Sequence, residues 1–242
     1  MRYNVDTFYS FGEHAKAVRP SKTGGRNLSF LRVSFKNSME AIMKLNKLSA
    51  KQITGIAVLL ALVIVLQSLG GTIVIGAVQL NFTLIPIVLG AILFGPLVGA
   101  FLGFACGVVV LIQVIVGLIP FYELIWMNDP IVTTLTCLVK TTAAGYISGW
   151  LFKLVQKRNL YAAVFVASGI VPIVNTLLFI LGCLCMTDSV YVAAGDENVL
   201  VFILVGLVTF NFFIELAINL IVAPALHQVI GIVDKRFKRN EV

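Results

Sequence analysis

The cations of this chain avoid its long apolar blocks, and they also avoid every second connection between those blocks. Ten Lys and Arg residues precede the first block (Arg2 to Lys51), three follow the fourth (Lys153, Lys157, Arg158) and four follow the last (Lys235, Arg236, Lys238, Arg239). The eighteenth, Lys140, lies inside a block. The alternate connections carry acids instead: Glu123, Asp129, Asp188, Asp196 and Glu197. Lys and Arg loops are retained on the cytoplasmic side of a membrane. The pattern therefore predicts a polytopic membrane protein with its bases inside and its acids outside. Both termini are basic, which requires an even number of crossings.

A crossing takes about 20 apolar residues, and that ruler gives helices at 52–70, 82–95, 97–118, 130–152, 160–184 and 199–229. The expected fold class is an all-α integral membrane protein with six transmembrane helices and cytoplasmic N and C termini. The second helix is short and contains Pro86. It follows Thr72 to Leu80, a β-branched, Gly-containing stretch that reads as a loop over a cavity. Phe94-Gly95-Pro96 turns the chain between helices 2 and 3. Gly95, Gly99, Gly103 and Gly107 form a small-xxx-small ladder of the kind that lets helices pack closely.

Three segments follow: a polar, basic stretch over 1–48, the six-helix domain over 49–233 and a basic tail over 234–242. The first 42 residues have the composition of a disordered segment. A second reading is an interfacial helix carrying Leu31, Phe35, Met39 and Ile42 at helical spacing. A third is that translation starts at Met43. A secretory signal is not expected, because the first apolar block begins too far in and runs too long.

Several function classes are excluded or weakened. The net charge of +7 is spread over membrane flanks and tails rather than gathered on a face, so anionic lipid or an acidic partner is the expected counter-charge and nucleic acid is not. Cys106, Cys137, Cys183 and Cys185 lack CxxC spacing and have only His14 and His227 to join them, so neither a metal site nor a disulfide framework is expected. The chain has no Walker A loop, HExxH or GxSxG. It is not expected to be an enzyme, nor to hydrolyse ATP itself.

Polar residues inside apolar blocks carry the rest, because each is costly in hydrocarbon and needs a partner. Lys140 stands midway along helix 4. Glu215 stands near the middle of helix 6, with Asn211 and Asn219 four residues to either side on one face. Asn175 follows Pro172 in helix 5. Gln79, Asn81, Trp126 and Asn128 lie at the outer ends of segments. Lys140, Asn175, Asn211, Glu215, Asn81, Gln79, Trp126 and Asn128 form a candidate substrate pocket open to the outside. The alternatives are that Lys140 and Glu215 neutralise one another as a structural pair, and that Asn175 and Asn211 are interhelical hydrogen-bond glue.

The stretch Asn81 to Gly107, NFTLIPIVLGAILFGPLVGAFLGFACG, resembles helices 2 and 3 of the substrate-binding S components of energy-coupling factor (ECF) vitamin transporters. Further similarity follows in Lys140-Thr141-Thr142-Ala143-Ala144-Gly145, in Asn175-Thr176, and in Glu215 with Val222-Ala223-Pro224-Ala225, so that the resemblance covers about residues 50 to 230. It implies a six-helix subunit of the bacterial cell membrane that binds a vitamin from outside. It implies as partners a transmembrane coupling protein and two ATPase subunits, which alone use ATP, with the transported vitamin as the only ligand and no cofactor. The family's AxxxA docking pattern in helix 1 is matched by Ala57 and Ala61; internal packing of helix 1 is the competing reading. A buried cation favours an acid of the pantothenate kind, and riboflavin is next, with Trp126, Tyr122, Phe121 and Phe82 for stacking. A stand-alone secondary carrier is the alternative function, though no inverted repeat or paired interrupted helices stand out.

Overall fold

The computed structural model describes residues 49–70, 74–75, 78–79, 81–195 and 198–238. Nine α-helices run through them: α1 (Ala50–Gly70), α2 (Leu84–Phe94), α3 (Pro96–Ile115), α4 (Pro120–Asn128), α5 (Pro130–Val155), α6 (Leu160–Cys185), α7 (Thr187–Ala194), α8 (Val199–Val201) and α9 (Phe210–Lys238). A π-helical stretch, Phe202–Thr209, joins α8 to α9. Two antiparallel strands, β1 (Val74–Ile75) and β2 (Val78–Gln79), pair between α1 and α2. The sequence reading of 1–48 lies outside the described residues. The last helix reaches Lys238, so part of the stretch assigned to a basic tail is helical.

Among the described residues the structure is all-helical apart from that small ribbon. Among the described residues, four helical stretches are long and apolar enough to cross a membrane: Ala50–Leu69, Pro96–Ile115, Leu160–Cys185 and Asn211–Ile232. Leu84–Phe94 is apolar but shorter. Helix α5 has the length, with 26 residues, but Lys140 and its threonines dilute it. The expected helices thus recur with shifted ends, except that the stretch expected as one helix over 199–229 is broken by the π-helical segment. Helices α4 and α7, in the connections, were not anticipated.

The glycine ladder explains how the centre is built. A Cβ at Gly107 would lie 2.7 Å from the carbonyl oxygen of Cys137, and one at Gly99 would lie 2.5 Å from that of Gly145. Gly103 likewise faces the backbone of Thr141. Helix α3 therefore lies directly on the backbone of α5, as the small-xxx-small pattern predicts. Gly95 turns the chain between α2 and α3 with φ of 100°, a region that side-chain-bearing residues rarely adopt. Helices α5 and α6 pack side by side, and α9 closes on α6. Because α5 commits its 137/141/145 face to α3, Lys140, one residue or about 100° round from Thr141, is turned elsewhere.

Helix α1 is held differently. Among its described side chains only Leu59, Val63 and Gln67 are buried, at spacings of four. These make one narrow stripe. Ala57 and Ala61 lie roughly 160–200° away round the helix, two residues off Leu59 at about 100° each, and both are exposed. Gly55 faces the ring of Phe94, within 2.7 Å of where its Cβ would be.

Candidate functional site

The buried charges of the bundle converge on one pocket. Its walls are Asn81, Tyr122, Lys140, Asn175, Thr176, Phe179, Val208, Asn211, Phe212 and Glu215. Five elements supply them: the turn before α2, then α4, α5, α6 and the π-helical segment running into α9. An extra residue per turn in a π-helical segment displaces the side chains that follow, and such segments recur at functional sites.

Lys140 is 4% exposed. Its Nζ donates to the phenol oxygen of Tyr122 at 2.7 Å, and it lies 5.2 Å from the ring centre of Phe179, within cation–π range. The 5.1 Å separation from the Tyr122 ring centre is a different matter. An ammonium bonded to the phenol oxygen stands beyond the ring's edge, so that distance follows from the hydrogen bond and is not a second attraction. Tyr122 and Phe179 are themselves 5.8 Å apart, and Phe121 meets both Tyr122, at 5.7 Å, and Phe202, at 6.2 Å. Helix α4 thus lays an aromatic cluster beside the ammonium. An ammonium has three donors, and the phenol takes one.

Glu215 has its own partner. One carboxylate oxygen accepts the backbone N–H of Asn81 at 2.9 Å, across 134 residues of sequence. Among the described residues no ion pair joins Lys140 to Glu215; the cation and the anion share the pocket but hold different groups. Asn219 donates to the backbone oxygen of Glu215 at 2.8 Å. Asn175 is 4% exposed, and its side-chain oxygen has no hydrogen-bond partner among the described residues. A buried acceptor left unmatched costs about 1–3 kcal/mol, and it lies three residues after Pro172, where the helix already lacks a backbone donor. The pocket is partly open and offers about 30 Å³ of free space, room for about two water molecules.

Five of the eight expected residues therefore meet: Lys140, Asn175, Asn211, Glu215 and Asn81. The other three do not join them. Asn128 is exposed, donates to the Leu124 carbonyl at 3.0 Å and lines a separate surface depression with Glu123 and Met127. Trp126 is half-buried against the apolar core. Gln79 sits in β2, and its side chain lies outside the described residues. Sequence reasoning did not place Phe179, Val208 and Phe212 in the pocket: apolar residues in apolar helices give no signal. It also passed over Gln67 and Gln113, whose amides in the middle of apolar runs were a visible signal.

A family model described as ECF transporter, substrate-specific component, matches residues 51–227. No curated protein matches the chain.

Proposed function

Because the chain belongs to the substrate-specific components of ECF transporters, we propose that it captures a small vitamin acid of the pantothenate kind in the pocket around Lys140. The observation that carries this is the buried ammonium of Lys140, bonded to a neutral phenol and to no carboxylate among the described residues. A charge-assisted bond to a carboxylate in a desolvated site is stronger than a bond to a neutral hydroxyl. The ligand's carboxylate takes the free donors of Lys140, and a hydroxyl or amide N–H of the same ligand satisfies the side-chain oxygen of Asn175. Asn211 and the Asn81–Glu215 pair hold the polar remainder. The free space is too small for such a molecule with the side chains as they stand, so loading parts them, with Tyr122 yielding its place beside the ammonium.

Membership of this family supports the following arrangement. The chain crosses a bacterial cell membrane six times with both ends in the cytoplasm, and it takes its substrate from outside. Release is driven by a transmembrane coupling protein and two ATPase subunits. The exposed Ala57 and Ala61 form the face of α1 that meets the coupling protein, since small residues permit close helix approach.

Riboflavin is the second reading, favoured by Tyr122, Phe179 and Phe212 in the pocket wall. Calorimetric titration of the purified chain with pantothenate and with riboflavin separates the two. Binding of pantothenate that is lost in Lys140→Met supports the acid. Binding of riboflavin alone, unaffected by Lys140→Met, overturns it.

A further inference from the structure

Next to the pocket, and not part of it, lies a closed polar network. Gln67 of α1 donates to the side-chain oxygen of Gln113 of α3 at 3.1 Å, and Gln113 returns a bond to the backbone oxygen of Gln67 at 2.9 Å. Thr83, at the start of α2, donates to the side-chain oxygen of Gln67 at 3.2 Å. The Cys106 thiol of α3 lies 3.3 Å from the Thr83 hydroxyl and 3.6 Å from Gln67. All four side chains are at most 5% exposed. At the head of a helix a threonine hydroxyl ordinarily caps a backbone N–H. Thr83 makes no such cap; its hydroxyl is committed to α1.

Two features make this more than packing glue. Helix α1 has only the Leu59, Val63 and Gln67 stripe buried, and within that stripe Gln67 is the member that makes directional bonds. Two leucine-like contacts alone permit sliding and rotation, whereas paired amide bonds fix both. Thr83 is also two residues from Asn81, whose backbone N–H is held by Glu215 in the pocket wall. The hydrogen bonds thus run from Glu215 to the Asn81–Thr83 turn and from that turn to Gln67.

We infer that Thr83 and Gln67 are positioning residues that tie the orientation of α1 to the state of Glu215 in the pocket. Because Ala57 and Ala61 ride on the face of α1 opposite this clasp, a change at Glu215 is expressed as a change in how that small-residue face is presented. The functional meaning of that face rests on the reading given above, but the mechanical link does not. A hydrogen-bonded chain is a physical candidate for coupling, and energetic coupling has to be measured.

The test is a double-variant cycle on the full chain in detergent, read by hydrogen–deuterium exchange of the 63–70 segment of α1, with no ligand added. Glu215→Met removes the acceptor for Asn81 and should speed exchange of that segment by about fivefold or more, as local opening would. Glu215→Gln keeps an acceptor and should change it little. Thr83→Val, which keeps shape and loses the hydroxyl, should itself speed exchange, and Glu215→Met should add nothing further in that background; Thr83→Ser should behave as the parent. Effects of Glu215→Met and Thr83→Val that multiply independently would overturn the inference, as would an α1 indifferent to Thr83→Val. If Glu215→Met does not fold, Glu215→Ala takes its place in the same cycle with Thr83→Val. A chain that binds no vitamin but shows the non-additive cycle would refute the proposed substrate and leave this link standing.

Discussion

Lys140 and Tyr122, eighteen residues apart, meet through a 2.7 Å hydrogen bond inside the bundle. The phenol satisfies one donor of the ammonium without neutralising it, so the ammonium keeps its charge in a pocket that it shares with, but does not pair to, Glu215. Tyr122→Phe removes that partner and leaves a buried donor unmatched, a loss of about 1–3 kcal/mol. The unloaded variant should therefore melt at a lower temperature than the parent, with saturating pantothenate recovering most of the difference because its carboxylate supplies the missing acceptor. A differential scanning fluorimetry series with and without ligand checks this.

Replacing Lys140 by Met keeps length and removes charge. Truncating one partner of a buried charge pair costs about 2–5 kcal/mol, which is about 30-fold to several thousandfold in affinity. Since Glu215 accepts from Asn81 and forms no ion pair with Lys140 among the described residues, a Lys140→Met, Glu215→Gln double variant should not regain thermal stability over Lys140→Met. Rescue by the second change would restore the reading in which the two charges exist only to neutralise one another.

The close seat of α3 on α5 sets where Lys140 stands. Gly103→Leu drives a side chain into the backbone of Thr141, and overpacking of this sort costs about 1–3 kcal/mol. Both stability and ligand affinity should fall, although residue 103 does not line the pocket. An unchanged affinity in a folded Gly103→Leu chain would show that the register of α5 is set elsewhere.

In a variant freed of its four cysteines, new cysteines at positions 123 and 196 should react with an impermeant thiol reagent on whole cells, and ones at 156 and 240 should not. Labelling at 156 from outside contradicts the six-crossing arrangement with cytoplasmic ends.

Ala57→Trp with Ala61→Trp places bulk on the exposed side of α1, away from Leu59, Val63 and Gln67. Uptake in cells should be abolished, while the affinity of the isolated chain stays within a few-fold, because the change blocks a helix contact and does not reach the pocket. Preserved uptake would dissociate these alanines from assembly.

The parts of this site that the sequence made legible are those whose chemistry conflicts with their surroundings. Lys140, Glu215, Asn175 and Asn211 are expensive in apolar helices, and that expense marks them before any fold is known. Asn81 is legible for its place at a segment end, but the same logic also selected Asn128 and Trp126, which lie on the surface and against the core instead: position at an end says little about direction. Phe179 and Phe212 could not be found this way, as a phenylalanine costs nothing in hydrocarbon. The π-helical turn over Phe202–Thr209 has no periodic signature in so uniformly apolar a run. The glycine ladder was readable because its period of four is close to one turn of a helix, and the facing carbonyls of Cys137 and Gly145 give that period its physical content.

The central claim is that Lys140 holds the acidic end of a transported vitamin, and native mass spectrometry of the purified chain tests it most directly. After incubation with an equimolar mixture of pantothenate and riboflavin, the parent should carry one added mass equal to pantothenate, and Lys140→Met, folded by its melting curve, should carry none. A riboflavin mass on both proteins, or a pantothenate mass that persists in Lys140→Met, would contradict the account.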